Sequence, residues 1–276
     1  MENEAQDTLE DLASSESEPR RLSVRRKSAV IAAASTRFEH LTLDDPLSNP
    51  AQKKISLTGF SVQKRSFLAG VNPFVQRKWE HMFDTFFDLK KNGVIEWADF
   101  ESLLKIIKHF RGPDSREFSI AEKSLPAVWV AMLADVRGVP FSCQKFDKKG
   151  KVTKKEWCAL WMDFDPEELP LWQKEYLKFT FFQVDTAGDK LIDRAEYREV
   201  LRMYKVDALK AMAAFDKLIS HKATSDGQSE TLNWGDFVKL WKEYFTSNDR
   251  EAAGNFLFGP LPPTVLKRDN SLLNKR

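Results

Sequence analysis

One short pattern recurs four times along this chain: an aliphatic residue, three further residues, an acid, then an aromatic. The copies are Ile95-Glu96-Trp97-Ala98-Asp99-Phe100, Val152-Thr153-Lys154-Lys155-Glu156-Trp157, Ile192-Asp193-Arg194-Ala195-Glu196-Tyr197 and Leu232-Asn233-Trp234-Gly235-Asp236-Phe237. The acids stand at 99, 156, 196 and 236, at intervals of 57, 40 and 40 residues. Ordinary residue frequencies give about one chance match in a chain of this length. Four in order, each between two helical stretches, are therefore a signal. A carboxylate closing a short loop just ahead of a helix suits one chemistry above others: coordination of a hard cation by oxygen.

The pattern is the second half of a 12-residue EF-hand loop. Such a loop offers side-chain oxygens at positions 1, 3, 5, 9 and 12 and a backbone carbonyl at position 7. Position 8 is aliphatic because two loops pair there in a short ribbon facing the core. The acid at position 12 closes the cage, and the aromatic after it begins the exit helix.

The four loops differ in the ligands they present. Loop 3, Asp185 to Glu196, places Asp185, Asp189, Asp193 and Glu196 at positions 1, 5, 9 and 12, with the Leu191 carbonyl at 7. Ala187 leaves a gap at position 3 that water can fill. Lys190 takes position 6, where a left-handed backbone is wanted, at a cost of about 1 kcal/mol. Four clustered carboxylates repel one another without a cation, so loop 3 is expected to bind Ca²⁺ at reduced affinity. The rival reading of loop 3 is a turn whose acids are simply solvated.

Loop 1, Asp88 to Asp99, supplies Asp88, Asn92, the Val94 carbonyl, Glu96 and Asp99, with Gly93 at the sharp turn. Its position 3 is Lys90, and an ammonium cannot coordinate a cation. Asp99 is one methylene shorter than Glu. The expectation is weak Ca²⁺ binding, Mg²⁺ binding, or none. Loop 2, Lys145 to Glu156, has Lys145 and Lys149 at ligand positions and is expected to hold no ion. Loop 4, aligned on Leu232 and Asp236, would begin at Ser225. It carries Asp226-Gly227 out of register, with Asp236 as its one firm acid.

The elements that must position these loops are helices. Asn72-Pro73 is a helix start, followed by Val75, Trp79, Met82, Phe83 and Phe86 at helical spacing. Leu103, Leu104, Ile107 and Phe110 continue a second helix to Gly112-Pro113. Pro126 is expected to open a third, with Trp129, Met132 and Leu133 on one face, and Pro170 a fourth with Trp172, Tyr176, Phe179 and Phe182. Val200, Leu201 and Tyr204 mark a fifth. Asp207 caps a sixth, and Phe237 to Phe245 belong to the last. No long period-2 run suggests a strand. The fold class is all-α: four EF-hands arranged as two pairs in one compact body.

From about residue 70 to 259, roughly two-thirds of its length, the chain resembles the invertebrate sarcoplasmic calcium-binding protein family, most of all its calexcitin branch. The four half-loops carry the resemblance, with the opening segment Asn72-Pro73-Phe74-Val75-Gln76-Arg77-Lys78-Trp79 and the closing stretch Ala253-Gly254-Asn255-Phe256-Leu257-Phe258-Gly259. It implies two halves packed together rather than a flexible Met-rich sensor. The 6 Met against 21 Phe, 8 Trp and 4 Tyr agree with that.

Composition bounds the rest. The chain has 276 residues, 42% hydrophobic, enough for a core. No run of about 18 apolar residues spans a bilayer, and the acidic Met1-Glu2-Asn3-Glu4 is no secretory signal. Cys143 and Cys158 make no disulfide framework or zinc site. Cytoplasmic location is expected. Residues 1–57 read as a disordered regulatory arm, acidic first and then basic at Arg20, Arg21, Arg25, Arg26 and Lys27. Residues 58–165 would hold the first EF-hand pair, 166–259 the second, and 260–276 a tail. Within the arm Ser23 and Ser28 sit in basophilic-kinase contexts.

The net charge of +2 gives no case for nucleic acid. Membrane contact falls to the basic arm alone, and a monomer with an unknown protein partner is expected. Part of the basic balance comes from Lys90, Lys145, Lys149 and Lys190, which stand where ligands or Gly belong. Lys148-Lys149-Gly150-Lys151-Val152-Thr153 lacks the upstream Gly of a phosphate loop, and no nucleophile–base pair is evident. The reading is a non-enzymatic, intracellular Ca²⁺-binding EF-hand protein. The alternative is a calcium-independent adaptor with structural hands, and after it a nucleotide-binding protein.

Overall fold

The structure, a computed structural model, describes residues 70–162, 165–220 and 230–262. The arm with Ser23 and Ser28, the loop 4 residues Ser225, Asp226 and Gly227, and most of the tail lie outside the described residues.

The described residues form eight α-helices: α1 (Pro73–Met82), α2 (Trp97–Arg111), α3 (Arg116–Arg137), α4 (Lys154–Met162), α5 (Leu171–Val184), α6 (Arg194–Met203), α7 (Ala208–Ile219) and α8 (Trp234–Thr246). Four strand fragments lie between them: β1 (Val94–Glu96), β2 (Lys151–Thr153), β3 (Leu191–Ile192) and β4 (Leu232–Asn233). Local side chains set the helix starts. Asn72 Oδ1 accepts the Phe74 N–H at 2.8 Å with Pro73 behind it. Ser115 Oγ accepts the Phe118 N–H at 3.1 Å, and Asp207 Oδ1 the Lys210 N–H at 3.0 Å. After α1 the chain widens into a π-helical turn, Phe83–Phe87, that delivers Asp88 to loop 1.

The third helix corrects one expectation. Pro126 does not open it but lies inside α3, eleven residues beyond the Ser115 cap. Proline's fixed φ is helical, and the buried face of Ile120, Ala121, Leu125, Val128 and Trp129 runs across it. Packing on both sides outweighs the one missing N–H. Tyr204, expected within the fifth helix, is the cap after α6.

The strands pair antiparallel in two ribbons. In one, Ile95 faces Val152; in the other, Ile192 faces Leu232. All four side chains are buried, so the recurring aliphatic seals loop to loop at the edge of the core.

That core is largely aromatic. Trp157 lies between Phe87, Trp161 and Trp172, with ring centroids 4.7, 5.5 and 5.5 Å away. The closing stretch folds back on it. Phe258 packs on Phe86 and Tyr244, and the Tyr197 hydroxyl donates to the Phe256 carbonyl at 2.5 Å. Gly254 permits the approach, because a Cβ there would lie 2.6 Å from the Leu240 carbonyl oxygen. No helix among the described residues is long and apolar enough to cross a membrane.

Lys78 ties the first helix to this closing stretch. Its side chain is fully buried, and Nζ donates to the Ser247 carbonyl at 2.7 Å and to Asn255 Oδ1 at 2.8 Å. Burial pushes its pKa down to about 8, with Glu243 opposing. Between that value and the 10.5 of a free lysine, the folded chain binds fewer protons than the unfolded one. Stability from this group therefore rises with pH across that window. Urea unfolding of the parent should show about 1–2 kcal/mol more gain from pH 8 to 10 than Lys78→Met. Equal slopes would show that Lys78 does not titrate there.

Candidate metal centre

The recurring acid has a local role in every loop. Glu196 Oε2 accepts the Asp193 N–H at 3.0 Å while Asp193 Oδ1 accepts the Glu196 N–H at 2.8 Å. Thr153 with Glu156, and Asn233 with Asp236, exchange the same reciprocal bonds. Asp99 Oδ2 accepts the Glu96 N–H at 2.9 Å. These are capping boxes at the starts of α2, α4, α6 and α8. Each is legible in the spacing of positions 9 and 12, and each forms from protein groups alone. The last acid of a loop therefore does not by itself mark a cation site. The first half of the loop does.

Loop 3 has the first half that fits. Asp185, at the end of α5, is fully buried. Its Oδ1 accepts the Gly188 N–H at 2.8 Å, whereas its buried Oδ2 has no hydrogen-bond partner. Burial pushes the Asp185 carboxyl upward in pKa, and the Glu196 and Asp189 charges push the same way; the Gly188 N–H and Arg116 oppose them. Lys190 takes the left-handed backbone expected at position 6, φ 66°. Asp189 Oδ1 accepts the Leu191 N–H at 2.9 Å. Glu196 Oε1 is turned onto the start of its own loop, accepting the Thr186 N–H (2.9 Å), the Thr186 hydroxyl (3.0 Å) and the Ala187 N–H (2.8 Å).

Loop 1 has supplied its own cation. Asp88 is buried, and its two oxygens accept the Asn92 N–H at 3.0 Å and the Gly93 N–H at 2.9 Å. Lys90 Nζ reaches Glu96 Oε1 at 3.1 Å, where the Asn92 amide also donates at 3.1 Å. The hydrogen bond from Lys90 holds the Glu96 carboxyl below its ordinary pKa. Asp99 Oδ1 accepts the Lys90 backbone N–H at 2.9 Å, and burial pushes that carboxyl up.

In loop 2, Arg137 Nη2 grips Asp147 at 2.6 Å, and Glu156 faces solvent. Its Lys145 and Lys149 are exposed as well. In loop 4 the stretch from Leu232 to Asp236 is ribbon and cap. Among the described residues no three His, Cys, Asp or Glu side chains are gathered as a ready-made metal cage. In loop 3 the Asp185 carboxyl feels the charges of Glu196 and Asp189, and Asp193 is joined to Glu196 by the cap.

One residue at loop 3 escaped the sequence. Arg116, at the start of α3, sets Nη2 3.8 Å from Asp185 Oδ2, and its Nη1 donates to the Asp185 carbonyl at 3.4 Å. It stands 69 residues earlier in the chain, and no motif links the two.

No family-level sequence profile matches the chain. Individual proteins do. Calexcitin-1 of Caenorhabditis elegans is 30% identical over 190 residues, which cover 68% of this chain and 88% of that protein. Sarcoplasmic calcium-binding proteins I, III and IV of Branchiostoma lanceolatum are 25% identical over 200 residues, 70% of this chain and 100% of theirs. A solved sarcoplasmic calcium-binding protein from amphioxus shares the fold, with a TM-score of 0.54 and 24% identity over 70% of this chain and 100% of that one. With the paired loops, the aromatic core and the folded-back closing stretch in place, the chain belongs to the calexcitin and sarcoplasmic calcium-binding protein family.

Proposed function

We propose that this protein binds one Ca²⁺ through loop 3 and acts as a non-enzymatic intracellular calcium modulator. The body reads as four EF-hands in two ribbon-joined pairs, of which the third works. The carrying observation is Asp185 Oδ2, a buried carboxylate oxygen with no hydrogen-bond partner at the first position of the loop. Such an oxygen is costly to leave unsatisfied, and a divalent cation is the partner its surroundings suit. The residues that would hold it are Asp185, Asp189, the Leu191 carbonyl, Asp193 and Glu196, with water opposite Ala187. Glu196 has to leave the Thr186 and Ala187 N–H groups to do so, which lowers affinity. The relatives' names, calexcitin and sarcoplasmic calcium-binding protein, support the same reading. Loop 1 is a poor second site for Ca²⁺ or Mg²⁺, since Lys90 already answers Glu96.

Calorimetric titration of the full chain tests this. One equivalent of Ca²⁺ should bind with Kd of about 10⁻⁶–10⁻⁴ M, and Asp185→Asn should weaken it by about 100-fold. A mutant that binds like its parent would remove loop 3 as the site. A second reading has its own observation: the capping boxes keep all four acids useful without metal. A calcium-independent adaptor predicts no heat up to millimolar Ca²⁺.

A further inference from the structure

We propose that Arg116 is the resident cation of loop 3, which Ca²⁺ must displace, and that it thereby sets the calcium affinity of the site. The inference rests on loop 3 being the calcium site. Arg116 is held from three sides. The Ser115 cap fixes the helix start beside it, the Phe182 ring lies 5.4 Å from its guanidinium carbon, and Gly188 leaves room for it. A Cβ at Gly188 would sit 2.6 Å from Nη1, so another residue there would make the guanidinium shift from this position.

The contact neutralises Asp185 without satisfying it. At 3.8 Å the Nη2–Oδ2 distance is that of an ion pair, too long for a hydrogen bond, and Oδ2 keeps no bonded partner. The two groups also differ in solvation. The Asp185 side chain is 0% exposed, while that of Arg116 is 40% exposed and can swing into water. A divalent ion bound at Asp185 would face a guanidinium a few ångströms away, and like charges at that range oppose binding by about tenfold. The same displacement would untie α3 from loop 3. Calcium would thus be felt at the start of a helix that packs against α2 and α5.

The test compares the parent, Arg116→Met and Arg116→Lys by calcium calorimetry on the full chain, with circular dichroism to confirm folding. Methionine keeps the packing on Phe182 without the charge, and lysine keeps the charge. The expected result is a Kd about tenfold lower for Arg116→Met and within about twofold of the parent for Arg116→Lys. Equal or weaker binding by Arg116→Met would overturn the proposal while leaving loop 3 as the site. So would equal tightening in both variants, since charge would then not be the cause. A silent parent with a binding Arg116→Met would uphold Arg116 as the occupant and refute calcium binding by the native chain. Silence in both would refute both.

Discussion

Lys90→Asp is expected to add one full equivalent of Ca²⁺ to whatever the parent chain binds. The backbone of loop 1 already has the right shape. Asp88 accepts the Asn92 and Gly93 N–H groups, Gly93 has φ 80°, and Asp99 accepts the Lys90 and Glu96 N–H groups. What excludes an ion is the ammonium 3.1 Å from Glu96. The substitution keeps the position 90 N–H, removes that cation and supplies the missing position 3 oxygen. Four carboxylates at 88, 90, 96 and 99 would then repel one another until an ion is bound. Asp99 remains one methylene short, so a Kd of about 10⁻⁴–10⁻³ M is expected. Calorimetry reads the extra equivalent directly. Unchanged stoichiometry at 10 mM Ca²⁺, roughly tenfold above that range, would show that Asp99, and not Lys90, disables the loop.

Trp157→Ala is expected to cost about 4 kcal/mol and to lower the melting temperature by roughly 10 °C. Trp157 follows the acid of loop 2, a loop whose Lys145 and Lys149 hold no ligand oxygens. It is 0% exposed, packs on Phe83, Phe87, Trp161 and Trp172, and its indole N–H donates to the Trp79 carbonyl at 2.8 Å. Alanine leaves a large cavity and removes one of the two donors to the Trp79 carbonyl, which keeps the Phe83 N–H. Trp157→Phe refills most of the volume and should cost only about 1–2 kcal/mol. A loss below about 1 kcal/mol for alanine would mean that the second hand does not anchor the core. The helix that follows loop 2 is thus a wall of the body whether or not the loop holds an ion.

Lys190 at φ 66° shows how much of loop 3 its own sequence dictates. So do the Asp193–Glu196 cap and the Ile192–Leu232 pair. These rest on contacts of four residues or fewer, or on one aliphatic that must turn inward, and so spacing alone announces them. The helices followed for the same reason, except that Tyr204 fell just past the end of α6 and Pro126 misled. Pro126 looks like a start because its missing N–H is harmless there, but tertiary packing carried α3 through it.

The carboxylate pattern determined which loops exist and which of them can offer oxygen. It did not determine what answers each carboxylate. That Arg116 stands at Asp185, and that Lys78 lies buried beneath Asn255, depends on helices far apart in sequence coming together. No local rule encodes such a meeting, because it is set by the volumes of the aromatic core between them. The tertiary structure alone therefore decided that loop 3 has a buried oxygen without a bonded partner, and an arginine beside it.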